Sequence, residues 1–360
     1  LRLSDLGWRK PAGGKGSLKV SGRLGRPPVI ERLALDAAGL SATGRITLRG
    51  DGGLEEARFE RVKVGGWLDA KVVLAGRGRG AAPEVRVEGG TLDLRKTSFL
   101  GGGGVAGGGS SAAGGPISLK LDRVIVSEGI TLTSLRGKIT RTPGLSGNFT
   151  ARVNGAAAIN GQLAPGKGGT RVRILSKDGG GVFRAAGIIE NARGGEMDLL
   201  LVPVTGKPGT YDGRLKVKNT RVYRASALTA LLHAISGIGL LEQLSGGGIL
   251  FSSVEARFRL TPRQVILYRS SAVGPSLGVS MDGYYDLETK RLDMQGVISP
   301  IYLVNQAGQI LTRRGEGLFG FNFRLVGSAD NPKVRVNPLS ILTPGMFREI
   351  FRRAPPKPSN

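Results

Sequence analysis

From residue 17 to about residue 220, apolar and polar side chains alternate one by one, and this period of two returns in run after run. In SLKVSGRL, Leu18 and Val20 alternate with Lys19 and Ser21; in PEVRVEGGTLDLR, Val85, Val87, Leu92 and Leu94 take one side and Arg86, Glu88, Asp93 and Arg95 the other. Successive side chains of a strand point to opposite faces, so each such run is a half-buried strand. The same pattern sets Leu119 and Leu121, Ile130 and Leu132, Val172 and Ile174, Leu199 and Leu201, and Leu215 and Val217 on apolar faces. Gly, Asp, Asn or Pro separates the runs at a spacing of roughly ten residues, the signal of a sandwich, a barrel or an open meandering sheet. No helical crossover pattern intervenes, which argues against a parallel α/β sheet and most nucleotide-binding enzyme folds.

Two segments break the pattern. Residues 225–244 place Leu228, Leu231, Leu232 and Ile235 at helical spacing, and Gly237 and Gly239 bend or interrupt that helix. Strands then resume to KVRVN at 333–337. Near the end, Thr343 is placed to cap a short helix with Pro344 at its first position. Met346, Phe347, Ile350 and Phe351 gather on one face of that helix, with Arg348, Arg352 and Arg353 as its charged complement, so it reads either as an amphipathic element that contacts a membrane surface or partner protein or as a helix that closes the end of the sheet. The glycine tract at 101–115 reads as a flexible loop; no Lys-Ser/Thr follows it, so it is not a phosphate-cradling loop.

The chain is poor in catalytic groups. It has no cysteine and one histidine, His233, which sits in the apolar helical segment. Carboxylates such as Asp93, Glu196, Asp198, Asp286 and Asp293 are scattered singly along strands, and no metal-ligand spacing occurs. No catalytic residue, metal or cofactor is expected. The 60 glycines and 5% aromatic content suit a turn-rich β protein. A net charge of +25, from 52 Lys and Arg against 27 Asp and Glu, attracts polyanions. The basic residues are spread along most strands without interleaved aromatics, which disfavours specific nucleic-acid binding.

Residues 196–353 resemble the carboxy-terminal region of AsmA-like, YhdP-type envelope proteins of Gram-negative bacteria. The resemblance is carried by Gly274-Pro275-Ser276-Leu277-Gly278, by Pro300 with Tyr302 and Asn305, and by the block from Asn337-Pro338-Leu339-Ser340 to Pro344-Gly345. It implies a periplasmic β structure with an inner-membrane anchor upstream of this segment. It also implies bridge-like lipid transport, in which phospholipid acyl chains slide along an apolar groove while anionic headgroups, or lipopolysaccharide, meet the basic rim.

The expectations are therefore a mainly β, elongated and curved antiparallel sheet forming a taco-like groove, a helix at 225–244 and a terminal amphipathic helix. The groove segment spans 1–195, the AsmA-like region 196–353 and a proline-rich tail 354–360. The alternative is a structural or assembly factor for outer-membrane biogenesis that carries no lipid.

Overall fold

The computed structural model describes residues 2–3, 8–9, 13–97, 115–141, 144–223, 231–232, 247–300, 320–329, 331–342 and 353–356. The fold is mostly β. A short ladder pairs β1 (Arg2–Leu3) with β2 (Trp8–Arg9). The main series begins with β3 (Gly16–Arg23), β4 (Val29–Ala37), β5 (Leu40–Leu48), β6 (Leu54–Val64), β7 (Leu68–Ala75) and β8 (Glu84–Asp93). It continues with β9 (Ile117–Ile125), β10 (Thr131–Thr140), β11 (Ser146–Val153), β12 (Ala157–Gly166) and β13 (Gly169–Ser176). After the helix α1 (Gly179–Ala185) come β14 (Ala192–Arg193), β15 (Glu196–Pro203), β16 (Tyr211–Val222), β17 (Ile249–Leu260) and β18 (Gln264–Val273). The last strands are β19 (Leu277–Asp286), β20 (Arg291–Pro300), β21 (Phe321–Ser328) and β22 (Pro332–Asn337).

Two compact units divide the chain: Leu1–Val172 with Pro203–Pro208, and Arg173–Val202 with Gly209–Asn360. In the first unit, β3 to β8 pair antiparallel in sequence order, as do β9 to β12. β8 and β9 pair in parallel, which the long connection through 94–116 allows. In the second unit β16 to β22 form an antiparallel meander, and β14 also pairs with β16.

Strand register turns the alternation into continuous apolar rows. In the first unit Leu40, Val64, Leu68, Leu92, Val124, Leu132, Val153 and Ala157 are successive cross-strand partners. In the second, Val217, Val254, Ala272, Val279, Ile298 and Phe321 run likewise. The rows run through the core, where Val64 is 1% exposed, Val124 2%, and Val217 and Ile298 0%, and include half-buried members such as Leu68, Leu92, Val254, Val279 and Phe321. Removing apolar area from water at about 25 cal/mol per Å² makes such rows the main source of stability.

Phenylalanine and glycine are matched across strands. Phe59 faces Gly44, Phe149 faces both Gly137 and Gly161, Phe258 faces Gly213 and Phe323 faces Gly296. A Cβ on Gly44 would stand 2.9 Å from Phe59 Cδ1, and one on Gly296 2.6 Å from Phe323 Cζ. At Gly161 and Gly213 the added carbon would enter the ring itself. Each ring covers the gap that its glycine leaves in the sheet surface. Part of the glycine excess is therefore packing rather than turn chemistry.

The helix α1 falls in KDGGGVFRAAG, where three consecutive glycines suggest a turn. Close packing explains it: Gly179 N donates to Gly195 O at 2.6 Å and Gly180 N to Gly194 O at 2.8 Å, and a Cβ on Gly180 would strike the Arg193 backbone. Only glycine lets the helix lie this close to β14.

The expected curved groove is not what forms. The strands do not form an open, one-sided gutter. Alternation assigns side chains to faces but carries no information on curvature, which depends on twist and stagger. In β20 the residues from Met294 to Ser299 are all buried, so both faces are covered there, unlike a one-sided open channel. Of the helix expected at 225–244, only Leu231 and Leu232 are described; both are helical and buried. The terminal helix, with Met346, Phe347, Arg348, Ile350, Phe351 and Arg352, lies outside the described residues.

Candidate functional site

The lipid-groove expectation can be followed side chain by side chain. Val87, Leu121, Leu132, Val172 and Val217 are buried, at 9%, 2%, 8%, 8% and 0% exposure. Such side chains have no free surface left to give an acyl chain. Val85, Leu92, Leu119, Ile174, Leu199, Leu201 and Leu215 are half-buried. Leu18 and Val20 are exposed at 62% and 52%, so β3 presents them to solvent instead of extending the core row. Leu94 belongs to a 3-10 turn, Leu94–Lys96, and Ile130 to the turn before β10, where Val126 N donates to Ile130 O. With these positions filled as core, bridge-like lipid carriage is overturned, and outer-membrane biogenesis by that route goes with it.

The motif residues have structural places where they are described. Gly274 N donates to Leu277 O at 2.9 Å, so Gly274-Pro275-Ser276-Leu277 is the tight turn between β18 and β19, and Gly278 begins the next ladder. Asn337 Oδ1 accepts from Leu339 N, opening the 3-10 turn Pro338–Leu342. Ser340 Oγ accepts from Asn322 N at 2.8 Å, which fastens that turn onto β21. Pro300 ends β20; Tyr302, Asn305, Pro344 and Gly345 lie outside the described residues.

The sheet's polar faces carry a lattice of ion pairs. In the first unit Arg61 grips Asp69 through two bonds of 2.9 and 2.8 Å, and Arg86 holds Glu84 at 2.9 Å. Arg58 bonds Glu56 and reaches Glu88 at 3.8 Å across β7, where Val73, its register partner, is 2% exposed. The aliphatic stems of such arginines cover apolar surface while their heads stay wet. In the second unit Arg173 clamps Asp198 at 2.9 and 2.7 Å, Arg259 clamps Asp212 at 2.8 and 3.1 Å, and Arg353 and Arg324 share Asp293.

These contacts decide what the carboxylates can do. Hydrogen bonds from Arg61, Arg173 and Arg353 hold Asp69, Asp198 and Asp293 below the ordinary aspartate value, and Arg86 and Arg95 do the same for Glu84 and Asp93. Asp286 is lowered by the backbone of Thr289, whose turn it closes. Groups held ionised and engaged in this way are anchors, not proton shuttles. Among the described residues no cluster of three or more metal-ligating side chains forms, and no helix is long and apolar enough to cross a membrane.

The lattice is not uniform. On one face of β16, β17 and β18 lie Arg214, Lys216, Lys218, Arg257 and Arg269, all exposed. The acids on that face of β16 and β17 are Asp212, already clamped by Arg259, and Glu255, opposite Lys216. Sequence reading saw the charge excess but not this concentration, because the strands are brought together only by register. Comparison with family models, curated proteins and solved structures finds no match, so the AsmA-like resemblance rests on the sequence blocks alone.

Proposed function

We propose that this chain is a non-enzymatic β scaffold that holds an anionic lipid surface against the charged face of its sheet. The observation that carries this reading is the exposed cationic field of Arg214, Lys216, Lys218, Arg257 and Arg269 on three adjacent strands. Each Lys or Arg near an anionic surface contributes about 1 kcal/mol, so several on one face suffice for salt-dependent attachment. The apolar face supports the same reading from the other side, since its buried rows serve stability and leave recognition to the polar face. The AsmA-like resemblance adds the setting: a periplasmic segment anchored upstream in the inner membrane and facing envelope headgroups.

Co-sedimentation with vesicles tests this. The protein should pellet with phosphatidylglycerol vesicles and not with phosphatidylcholine, and raising salt from about 0.05 M to about 0.5 M should release it, since the Debye length shrinks severalfold. Equal recovery with both lipids, or binding indifferent to salt, would refute the proposal.

A further inference from the structure

Arg214 on β16 is the direct register partner of Arg257 on β17, and Arg257 is the direct partner of Arg269 on β18. Three guanidinium side chains therefore stand in one line across adjacent strands, at the ~4.8 Å strand spacing. All three are exposed, and among the described residues none of them has an ion-pair partner. Like charges directly opposite each other destabilise a sheet. Other opposed arginines have relief that this line lacks: Arg58 and Arg324 hold acids, Arg193 lies over the Tyr223 ring and Arg221 bonds the Gly247 carbonyl. Asp212, two positions before Arg214, is occupied by both of its bonds to Arg259, whose side chain is only 7% exposed.

We infer that the Arg214–Arg257–Arg269 line is a phosphate seat: a linear set of guanidinium forks for adjacent phosphate groups, whether of a free oligophosphate or of clustered lipid headgroups. The inference rests on the anionic-surface reading above and adds the site and the chemical class. Guanidinium is planar, always charged and presents paired donors that match phosphate oxygens, so a row of three gives a directional match that scattered lysines do not. The sheet supplies the rigidity, because all three side chains spring from hydrogen-bonded strands instead of loops.

Calorimetric titration with pyrophosphate and co-sedimentation with phosphatidylglycerol vesicles form the two arms, each run on the wild-type chain, Arg257→Gln and Arg32→Gln. Arg32 is exposed on β4 of the other unit, so its variant loses the same charge away from the row. Arg257→Gln should weaken binding about 10-fold or more, the effect of losing a charge-assisted contact, while Arg32→Gln stays near wild type. Its melting temperature should not fall, because no ion pair is removed. Saturable pyrophosphate binding that Arg257→Gln abolishes assigns the seat to free oligophosphate; the same loss confined to vesicles assigns it to headgroups. Equal losses in Arg257→Gln and Arg32→Gln would overturn the seat while leaving the surface reading intact. Failure of the wild-type protein to bind either probe would overturn both.

Discussion

Gln295 on β20 holds Arg353 by a reciprocal pair of hydrogen bonds: its Nε2 donates to the Arg353 carbonyl at 2.8 Å, and Arg353 N donates to its Oε1 at 3.0 Å. A side-chain amide here stands in for one rung of a strand and fixes the segment 353–356 over the sheet. Gln295 is 6% exposed and also donates to Asp282 Oδ1 at 2.9 Å, so the pair belongs to a buried polar layer. Gln295→Leu keeps about the same volume and removes both bonds to Arg353 together with the one to Asp282, leaving backbone groups of Arg353 unpaired and the buried Asp282 carboxylate with one donor fewer. The expected loss is about 1–3 kcal/mol in urea unfolding, with faster amide exchange at Arg353. Unchanged exchange at Arg353 would show that the pair does not hold the segment.

What the sequence disclosed follows from the physics of a strand. Val85 and Val87 do share a face with Leu119 and Leu121 of the paired strand β9, as the period of two requires. The same period at Leu18 and Val20 leads to solvent, because alternation says which side chains lie together and not what covers them. Curvature was illegible for the same reason. The arginine line was hidden because Arg214, Arg257 and Arg269 meet only through the register of three strands and the bulge after Arg257. Residue spacing alone would put Arg269 on the face of Leu267. The helix α1 was missed because glycine argues against helix locally, while close packing on β14 decides otherwise.

Asp293 should make the attachment of Arg353 sensitive to acid. Hydrogen bonds from Arg353, and secondarily Arg324, lower its carboxyl below the ordinary value. A group with a depressed folded-state pKa contributes stability above its unfolded value, about 3.9, and loses it as pH falls through the lower folded value. Wild type should therefore exceed Asp293→Asn in stability at neutral pH, and the difference should begin to shrink as pH falls below about 4 and vanish only below the lower folded-state value, as the native carboxyl protonates. Since the side chain is 38% exposed, solvent screening keeps the difference small. A gap between the two proteins that widens on acidification would contradict the assignment.

The Phe and Gly pairs predict an unusual sensitivity to the smallest side-chain addition. Gly161→Ala and Gly213→Ala place a methyl where the rings of Phe149 and Phe258 lie, and should each cost about 1–3 kcal/mol through overpacking. Alanine is otherwise the milder residue in a strand than glycine, so propensity predicts the opposite sign. Combining Gly161→Ala with Phe149→Leu should recover part of the loss, and a double-mutant cycle on the melting curves measures that coupling. Strict additivity would mean that the ring and the glycine are independent.

Asp178 sustains a helix that its own sequence would not. Its Oδ1 accepts from Gly181 N at 2.8 Å, capping α1, and from Gly194 N at 2.9 Å, tying the cap to the segment that follows β14. A helix of seven residues containing Gly179, Gly180 and Gly181 is too short and too weak in propensity to stand alone, so the cap and the β14 packing must supply its order. Asp178→Ala should cost about 1–2 kcal/mol and raise amide exchange across 179–185, whereas Asp178→Asn, which keeps an acceptor, should lose much less. Were the alanine and asparagine variants equally destabilised, the carboxylate's charge and not its capping geometry would be what the helix depends on.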